Sequence, residues 1–304
     1  MSGFCTRKTD ASWPQSIFIV GCGLIGMSLA KALRRVLPDD TLLDGLEPNP
    51  SHRQMAEQTG VFQRLLSTLP ASGDYDLIVL AVPVDAACAL LQPCAALGQW
   101  LMDVCSVKSD ICRQAADLGL RGRFFPSHPM AGLASEGPAQ AVATLFCDRP
   151  WIGIAGWDDM GPLIALLEAI GAQWRTVPNP EVHDAIMARV SHSIHLTSLA
   201  AMLSFAAAEQ NVAPAASDFK TALFCGPAFT DITRLAASPP GFWTSTLLAN
   251  RKETVRQLHR TVQELETFIR ILETEDRDAL WNQLDSARRA RQQWEDSLGG
   301  SRET

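Results

Sequence analysis

Ser16-Ile-Phe-Ile-Val-Gly-Cys-Gly-Leu-Ile-Gly-Met-Ser-Leu-Ala30 is the stretch whose reading decides the fold. Ile17 to Gly21 is a run of β-branched and aromatic residues without polar alternation, which suits a strand buried on both faces of a parallel sheet. From Leu24 the pattern turns helical. Between them Gly21, Gly23 and Gly26 stand in G-x-G-x-x-G spacing. The first glycine permits the tight turn, the second lets backbone approach a pyrophosphate, and the third lets helix pack close to strand. The free N–H groups and positive dipole end of the helix, from Leu24 and Ile25 onward, then face the phosphates. A second strand, Thr41 to Leu46, closes on Glu47, twenty-one residues past Gly26. A carboxylate there accepts ribose hydroxyls and repels a 2′-phosphate, favouring NAD over NADP. The competing reading is a surface glutamate that merely ends a strand.

Working outward, strands are predicted at Asp76–Val82, ended by Pro83, and at Trp100–Val104, Arg123–Pro126, Trp151–Ala155 and Gln173–Val177. Helices fall from about Ser51, at Asp85–Leu97, Lys108–Leu118 and Met160–Ile170. Such alternation means βαβ units, a parallel sheet and right-handed crossovers. Past Pro178-Asn-Pro180 the pattern becomes all helical: Glu181–Gln210, Ser217–Phe224, Ala228–Ala237, Phe242–Glu273 and Glu275–Leu298. The expected fold is an α/β Rossmann-type domain, residues 1–178, followed by an all-α domain, residues 179–304. The helix Glu181–Gln210 is apolar almost all round, which asks for burial on every side and hence a homodimer formed through the helical domain. Asp276–Thr304 reads as a solvated helix with a frayed tail.

At 304 residues two domains are expected rather than one. Apolar residues make up 47% and charged residues 19%, enough for a sizeable core. A net charge of −7 argues against nucleic acid as a partner. The eight cysteines are scattered, with no C-x-x-C pair, and read as reduced thiols of a cytoplasmic protein. Met1 to Gln15 lacks an apolar core, so no signal peptide is expected, and Ile194–Ala208 is too short and too interrupted by polar residues for a membrane span.

Polar residues in unexpected places mark candidate chemistry. Asp103-Val-Cys-Ser-Val-Lys108 lies at the carboxyl end of a strand, where open α/β sheets bind ligands; Ser106 is either a site residue or a helix cap. His128 follows another strand, beside Pro129, and is either a structural histidine or a proton acceptor with an ordinary pKa near 6.5. Ser191 and His195, four apart, share a helix face that could turn towards the cofactor domain. His192 and His195 lack a third ligand at metal spacing, so no metal is expected. Arg234 interrupts an apolar helical stretch and needs an anion, either an internal Asp or a substrate carboxylate.

The motifs Gly21-Cys-Gly-Leu-Ile-Gly-Met-Ser-Leu-Ala, Leu80-Ala-Val-Pro-Val-Asp85, Asp103 to Lys108, Ser127-His-Pro-Met-Ala-Gly132, His183-Asp184, Val190-Ser-His192 with His195, and Phe229-Thr-Asp-Ile-Thr-Arg234 followed by Trp243 resemble the prephenate/arogenate dehydrogenase family. The likeness runs from about Ser16 to Phe268. It implies oxidative decarboxylation of a cyclohexadienyl dicarboxylate with NAD as hydride acceptor. By the same likeness His128 accepts the proton of the ring hydroxyl, with Ser106 beside that hydroxyl and the nicotinamide. Arg234 holds a substrate carboxylate, and Ser191, His195 and Trp243 line the substrate pocket. Gly21, Gly23, Leu24, Ile25, Gly26, Glu47, Val82, Pro83, Ser106 and Lys108 line the cofactor. Where many relatives carry Thr and an acid after Gly132, this chain has Leu133 and Ala134, which favours prephenate over arogenate; an amino analogue such as 4-amino-4-deoxyprephenate is a further alternative. The Pro of the family's Ser-His-Leu-Pro-His and the paired glycines before its arginine motif are replaced here, and no C-terminal regulatory domain is expected. Rival readings are a hydroxy-acid or imine reductase of similar architecture and a dinucleotide-sensing regulator.

Overall fold

The computed structural model describes residues 13–132, 137–157, 161–210 and 221–299. The chain divides into two compact units, Met1–Glu253 and Thr254–Thr304.

The first unit is built on one eight-stranded sheet: β1 (Ser16–Val20), β2 (Leu42–Leu46), β3 (Leu65–Leu66), β4 (Tyr75–Leu80), β5 (Gly98–Asp103), β6 (Phe124–Pro129), β7 (Pro150–Ile154) and β8 (Gln173–Val177). Their spatial order is β3-β2-β1-β4-β5-β6-β7-β8. The run read from Ile17 onward lies at its centre, and its side chains alternate between two cores. Ile17 and Ile19 join Leu29 and Leu33 of α1 (Leu24–Val36) with Leu166 and Leu167 of α5 (Gly161–Ala169). Phe18 and Val20 join Leu91 of α3 (Val84–Ala95) with Ile111 of α4 (Ser109–Asp117). Helices on both faces are why this strand shows no polar alternation. The short helix α2 (Pro50–Glu57) starts on an Asn49 cap that accepts from Ser51 and His52.

Two features depart from the sequence reading. The two-residue strand β3 is too short to leave a periodic signal; it adds to β2 at the sheet edge. The sheet is also not wholly parallel, because β6 and β7 pair antiparallel. Parallel neighbours need a crossover, normally an α-helix. The connection from Met130 to Arg149 carries, among the described residues, only a 3-10 turn at Pro138–Gln140. It returns on itself, with the Met130 N–H donating to the Pro150 carbonyl at 2.9 Å. That pairing lengthens β6 beyond the expected Arg123–Pro126: Phe124 to Pro126 pair with β5, and Ser127 to Pro129 pair with β7 alone. His128 is thus a strand residue opposite Ile152, rather than one just past a strand.

The expected helix Glu181–Gln210 forms in three parts: α6 (Pro180–Met187), a π turn at Ala188–His192, and α7 (Ser193–Gln210). Pro180 to Glu209 runs as 30 helical residues, apolar enough in length and composition to cross a membrane, and only 22% of its most apolar window is buried. Val190, Ile194 and Leu203 stand exposed along it. Ser217–Phe224 is described only from Thr221, as a 3-10 turn. The expected Ala228–Ala237 helix is α8 (Pro227–Thr233) continued by a 3-10 turn at Arg234–Ala237. The expected Phe242–Glu273 breaks at Asn250 into α9 (Pro240–Ala249) and α10 (Arg251–Glu273).

The second unit consists of the greater part of α10 together with α11 (Arg277–Gly299). A hydrogen bond of 2.8 Å from Gln283 to Glu264 ties the two helices. Val255, Val262, Leu265, Ile269 and Leu272 are exposed, and with Leu258 they stand alternately three and four apart along one stripe of α10.

Candidate active site

The order of the central strands reverses between β1 and β4, the topological position where open α/β sheets bind ligands beyond their carboxyl ends. The glycine loop occupies that position. Gly21 has φ +96°, and a Cβ there would stand 2.4 Å from the Ala81 carbonyl oxygen and 2.7 Å from Val82. A Cβ on Gly26 would stand 1.9 Å from the Gly21 carbonyl oxygen, so helix and strand can meet only if this residue is glycine. Gly23 faces open space and is the N-cap of α1, with no side-chain cap on the first turn. The helix N-terminus is therefore left to an outside acceptor, as a pyrophosphate requires. Glu47 is buried at the end of β2 and accepts from the Cys22 N–H at 3.0 Å and the Asn49 N–H at 2.9 Å, one on each oxygen. Each oxygen keeps a lone pair for a ribose hydroxyl. Val82 abuts Gly21, and Pro83 stands just beyond it as the N-cap of α3. These residues fit a dinucleotide.

At the same carboxyl edge the end of β6 meets α6. The buried His128 places Nδ1 3.0 Å from Nε2 of His183, whose own Nδ1 lies 2.9 Å from Asp184 Oδ1. Asp184 also accepts from the Lys108 N–H at 2.8 Å and from the Ser109 N–H at 2.9 Å and hydroxyl, so α6 is pinned to the start of α4. Burial alone would raise the Asp184 pKa, but hydrogen bonds from His183, Ser109 and the Lys108 backbone outweigh it, and its carboxyl lies below the ordinary value. Burial pushes His128 well below the ordinary histidine value, reinforced by the charges of His183, Lys108 and His192. His183 is also lowered by burial, against the pull of Asp184. In the π turn, His192 is pushed down by burial to about 4 and meets the Asn250 amide through Nδ1 at 3.0 Å.

The other expected site residues divide. Ser106 lies 3.3 Å from the Thr246 hydroxyl on α9. His195 is buried and stacks on Trp243, with ring centroids 3.5 Å apart and planes within 10°. Its Nδ1 is buried without a partner among the described residues, as is the Ser198 hydroxyl one turn on. Ser191 is half-buried within the π turn rather than in a regular helix. Arg234 is exposed and forms no ion pair among the described residues, which removes the internal Asp as its partner there. Lys108 differs from expectation. Its side chain is 1% exposed, with Nζ bonded to the buried Asp103, so its ammonium is already paired inside the fold. Asp103 accepts in addition from the Ser127 and Cys105 N–H groups, and the pair fixes the ends of β5 and β6. Three of the thiols are poor nucleophiles: burial pushes Cys22 up to about 12 and Cys88 and Cys94 up to about 11. Leu133 and Ala134, and Cys5, lie outside the described residues.

Two family models match the chain: "Prephenate dehydrogenase, nucleotide-binding domain" over residues 29–168 and "Prephenate dehydrogenase, dimerization domain" over residues 179–286. The chain belongs to the prephenate/arogenate dehydrogenase family. It is 26% identical to the prephenate dehydrogenase of Lactococcus lactis subsp. cremoris, a likeness spanning 92% of this chain and 78% of that one. It is 27% identical to the cyclohexadienyl dehydrogenase of Zymomonas mobilis, over 90% of this chain and 94% of that one. Its fold is like that of Aquifex aeolicus prephenate dehydrogenase, solved with hydroxyphenyl propionate and NAD+: TM-score 0.78, 23% identity, 92% of this chain and 98% of that one.

In this dehydrogenase some of the polar contacts at the site were not legible as site residues. His183 and Asp184 were visible only as a motif, because nothing in the sequence tells which strand end α6 meets. Thr246 and Asn250 lie on a stretch that reads as uninterrupted helix. Asn250 ends α9 and donates to the Asp184 carbonyl at 2.8 Å, which only the folded chain reveals. The partnership of Asp103 and Lys108 had a signal: a charge pair five residues apart where a buried strand ends.

Proposed function

We propose that this dehydrogenase catalyses the NAD-dependent oxidative decarboxylation of prephenate to 4-hydroxyphenylpyruvate. Bound NAD supplies the hydride acceptor. His128 accepts the ring hydroxyl proton as the carbon bearing it gives up hydride; the ring carboxylate leaves as CO2, its electron pair aromatises the ring, and the proton returns to the phenolate oxygen. Ser106 orients the hydroxyl. Arg234 engages a carboxylate, with Ser191, His195 and Trp243 lining the remainder of the pocket; a dianionic substrate calls for such a bidentate cation. Glu47 binds the ribose hydroxyls and disfavours NADP. The observation carrying the reading is the buried His128 at the sheet edge that also bears the glycine loop, held neutral at physiological pH by burial and therefore able to accept a proton. Aquifex aeolicus prephenate dehydrogenase, solved with hydroxyphenyl propionate and NAD+, agrees with this substrate class.

Prephenate is preferred to arogenate and to the amino analogue, because Ala134 supplies no carboxylate to pair with an ammonium. The same proposal places the enzyme in the cytoplasm as a homodimer through its helical part, with the change from nucleotide-binding to helical domain at Pro178–Asn179. The apolar exposed faces of α7 and α10 fall within the residues matched by the dimerization model and support the assembly.

His128→Asn tests the role of the base. Proton acceptance by a positioned group is worth roughly 10²–10⁴ in rate, so kcat should fall by about that factor with a smaller change in KM. A near-normal kcat would make His128 a structural residue and His195 the next candidate.

A further inference from the structure

The carboxylate of Asp184 receives four donors. Oδ1 takes the Lys108 N–H and His183 Nδ1; Oδ2 takes the Ser109 N–H and hydroxyl. Each oxygen takes one backbone N–H, which can only donate, and these bonds together with those of Ser109 and His183 hold the carboxyl ionised, below its ordinary pKa. An acceptor-only carboxylate requires His183 to present Nδ1–H. Neutral His183 then has its lone pair on Nε2, the atom 3.0 Å from His128 Nδ1. That contact is a hydrogen bond only if His128 carries its proton on Nδ1. The lone pair of His128 is then on Nε2, the nitrogen turned away from His183.

We propose that His183 and Asp184 are positioning residues that lock His128 in the Nδ1–H tautomer, so that Nε2 is the atom that takes the substrate's hydroxyl proton. The inference rests on the proposed role of His128 as the base. The hydrogen bond at one imidazole nitrogen decides which nitrogen is free, and a buried carboxylate can fix both tautomer and ring orientation. When the hydroxyl proton arrives at Nε2, His128 becomes an imidazolium whose Nδ1–H still donates to His183, and the anionic Asp184 lies one imidazole further along. The charged or titratable groups around this chain are Lys108 and Asp103 between β5 and α4, His183 and Asp184 on α6, and His192 in the π turn. Only the two carboxylates favour the new positive charge. The chain also explains why α6 is fastened to the start of α4 through Asp184: moving α6 would move the partner that sets the tautomer of the base.

Nitrogen-15 NMR of histidine-labelled wild-type protein, free of substrate, reads the tautomers directly. His128 and His183 should both be Nδ1–H at pH 7.5; an Nε2–H form of His128 overturns the proposal. In turnover, His183→Leu removes the acceptor and should lower kcat by about 10²-fold or more with KM changed only a few-fold. His183→Gln, which offers an amide oxygen where Nε2 stood, should recover most of that loss. Equal losses in the two variants would mark lost packing and contradict the lock, as would an unchanged kcat in His183→Leu. Failure of the base assignment looks different: His128→Asn would then keep its kcat while the wild-type tautomers stayed as proposed. Should the His183 variants fail to fold, the wild-type spectrum still decides.

Discussion

His128 and Arg234 have opposite environments, and each implies its own experiment. Arg234 is exposed and holds no partner among the described residues, as expected of a cation that meets its carboxylate on the substrate. Arg234→Gln should raise KM with kcat little changed, by about 2–5 kcal/mol in kcat/KM if the bound pair is desolvated. A drop confined to kcat would contradict that role. His128 is buried, and as the proposed base it acts in its neutral form, so the rate should fall as pH drops through its folded pKa. Burial moves that limb well below 6.5. A limb at the ordinary histidine value, seen in the pH profile of kcat/KM, would contradict the environment described. His192 extends the argument to stability. Between 6.5 and about 4 the unfolded chain binds its proton and the folded chain does not, so stability is greatest above this window and falls as pH drops through it. A shift of that size is worth on the order of 3 kcal/mol. Tm should therefore decline from pH 7 to pH 4.5, and a flat profile would be evidence against a buried neutral His192. Candidate site residues stood out in the sequence because proton acceptors and guanidinium groups are rare in apolar stretches. Their partners were not, since the bonds of His128 to His183 and of Ser106 to Thr246 join residues 55 and 140 apart in the chain.

Among the elements, the glycine loop was the most legible, because its spacing sits between a buried strand and a helix within a few residues of sequence, although the atoms that crowd Gly21, on Ala81 and Val82, lie sixty residues on. Gly26→Ala would place a Cβ 1.9 Å from the Gly21 carbonyl oxygen. Dinucleotide affinity, followed by fluorescence titration, should fall about 10-fold or more as the helix shifts from the strand. Unchanged affinity would show that the loop does not hold the cofactor. The turn after β5 was legible in part. Asp103 and Lys108 stand out in sequence, but a lysine at a strand end reads equally as a cofactor ligand, and only burial identifies it as a structural ion pair. Asp103→Asn should leave Lys108 charged and uncompensated inside the fold, a loss of about 3–5 kcal/mol on urea unfolding. A loss below about 1 kcal/mol would mean that Lys108 reaches water. The antiparallel step from β6 to β7 escaped the reading because strand direction leaves no mark in composition. It depends on whether the Met130 to Arg149 connection crosses the sheet or turns back.

For the molecule as a whole, the alternation of strands and helices followed by helices alone specified the layers, since each pattern admits few ways of burying an apolar face. The proposed assembly comes from the same pattern, for a helix apolar all round that leaves Val190, Ile194 and Leu203 exposed calls for a covering partner. Leu265→Asp combined with Ile269→Asp on the exposed α10 stripe should shift light scattering from dimer towards monomer. A dimer mass unaffected by both changes would place the interface elsewhere. What the fold is for is tested most directly by turnover. Purified protein with NAD and prephenate should release NADH, CO2 and 4-hydroxyphenylpyruvate in equal amounts, identified by mass, with lower catalytic efficiency on arogenate and with NADP. NADH formed from a hydroxy acid, or no NADH from any cyclohexadienyl dicarboxylate, would contradict the account.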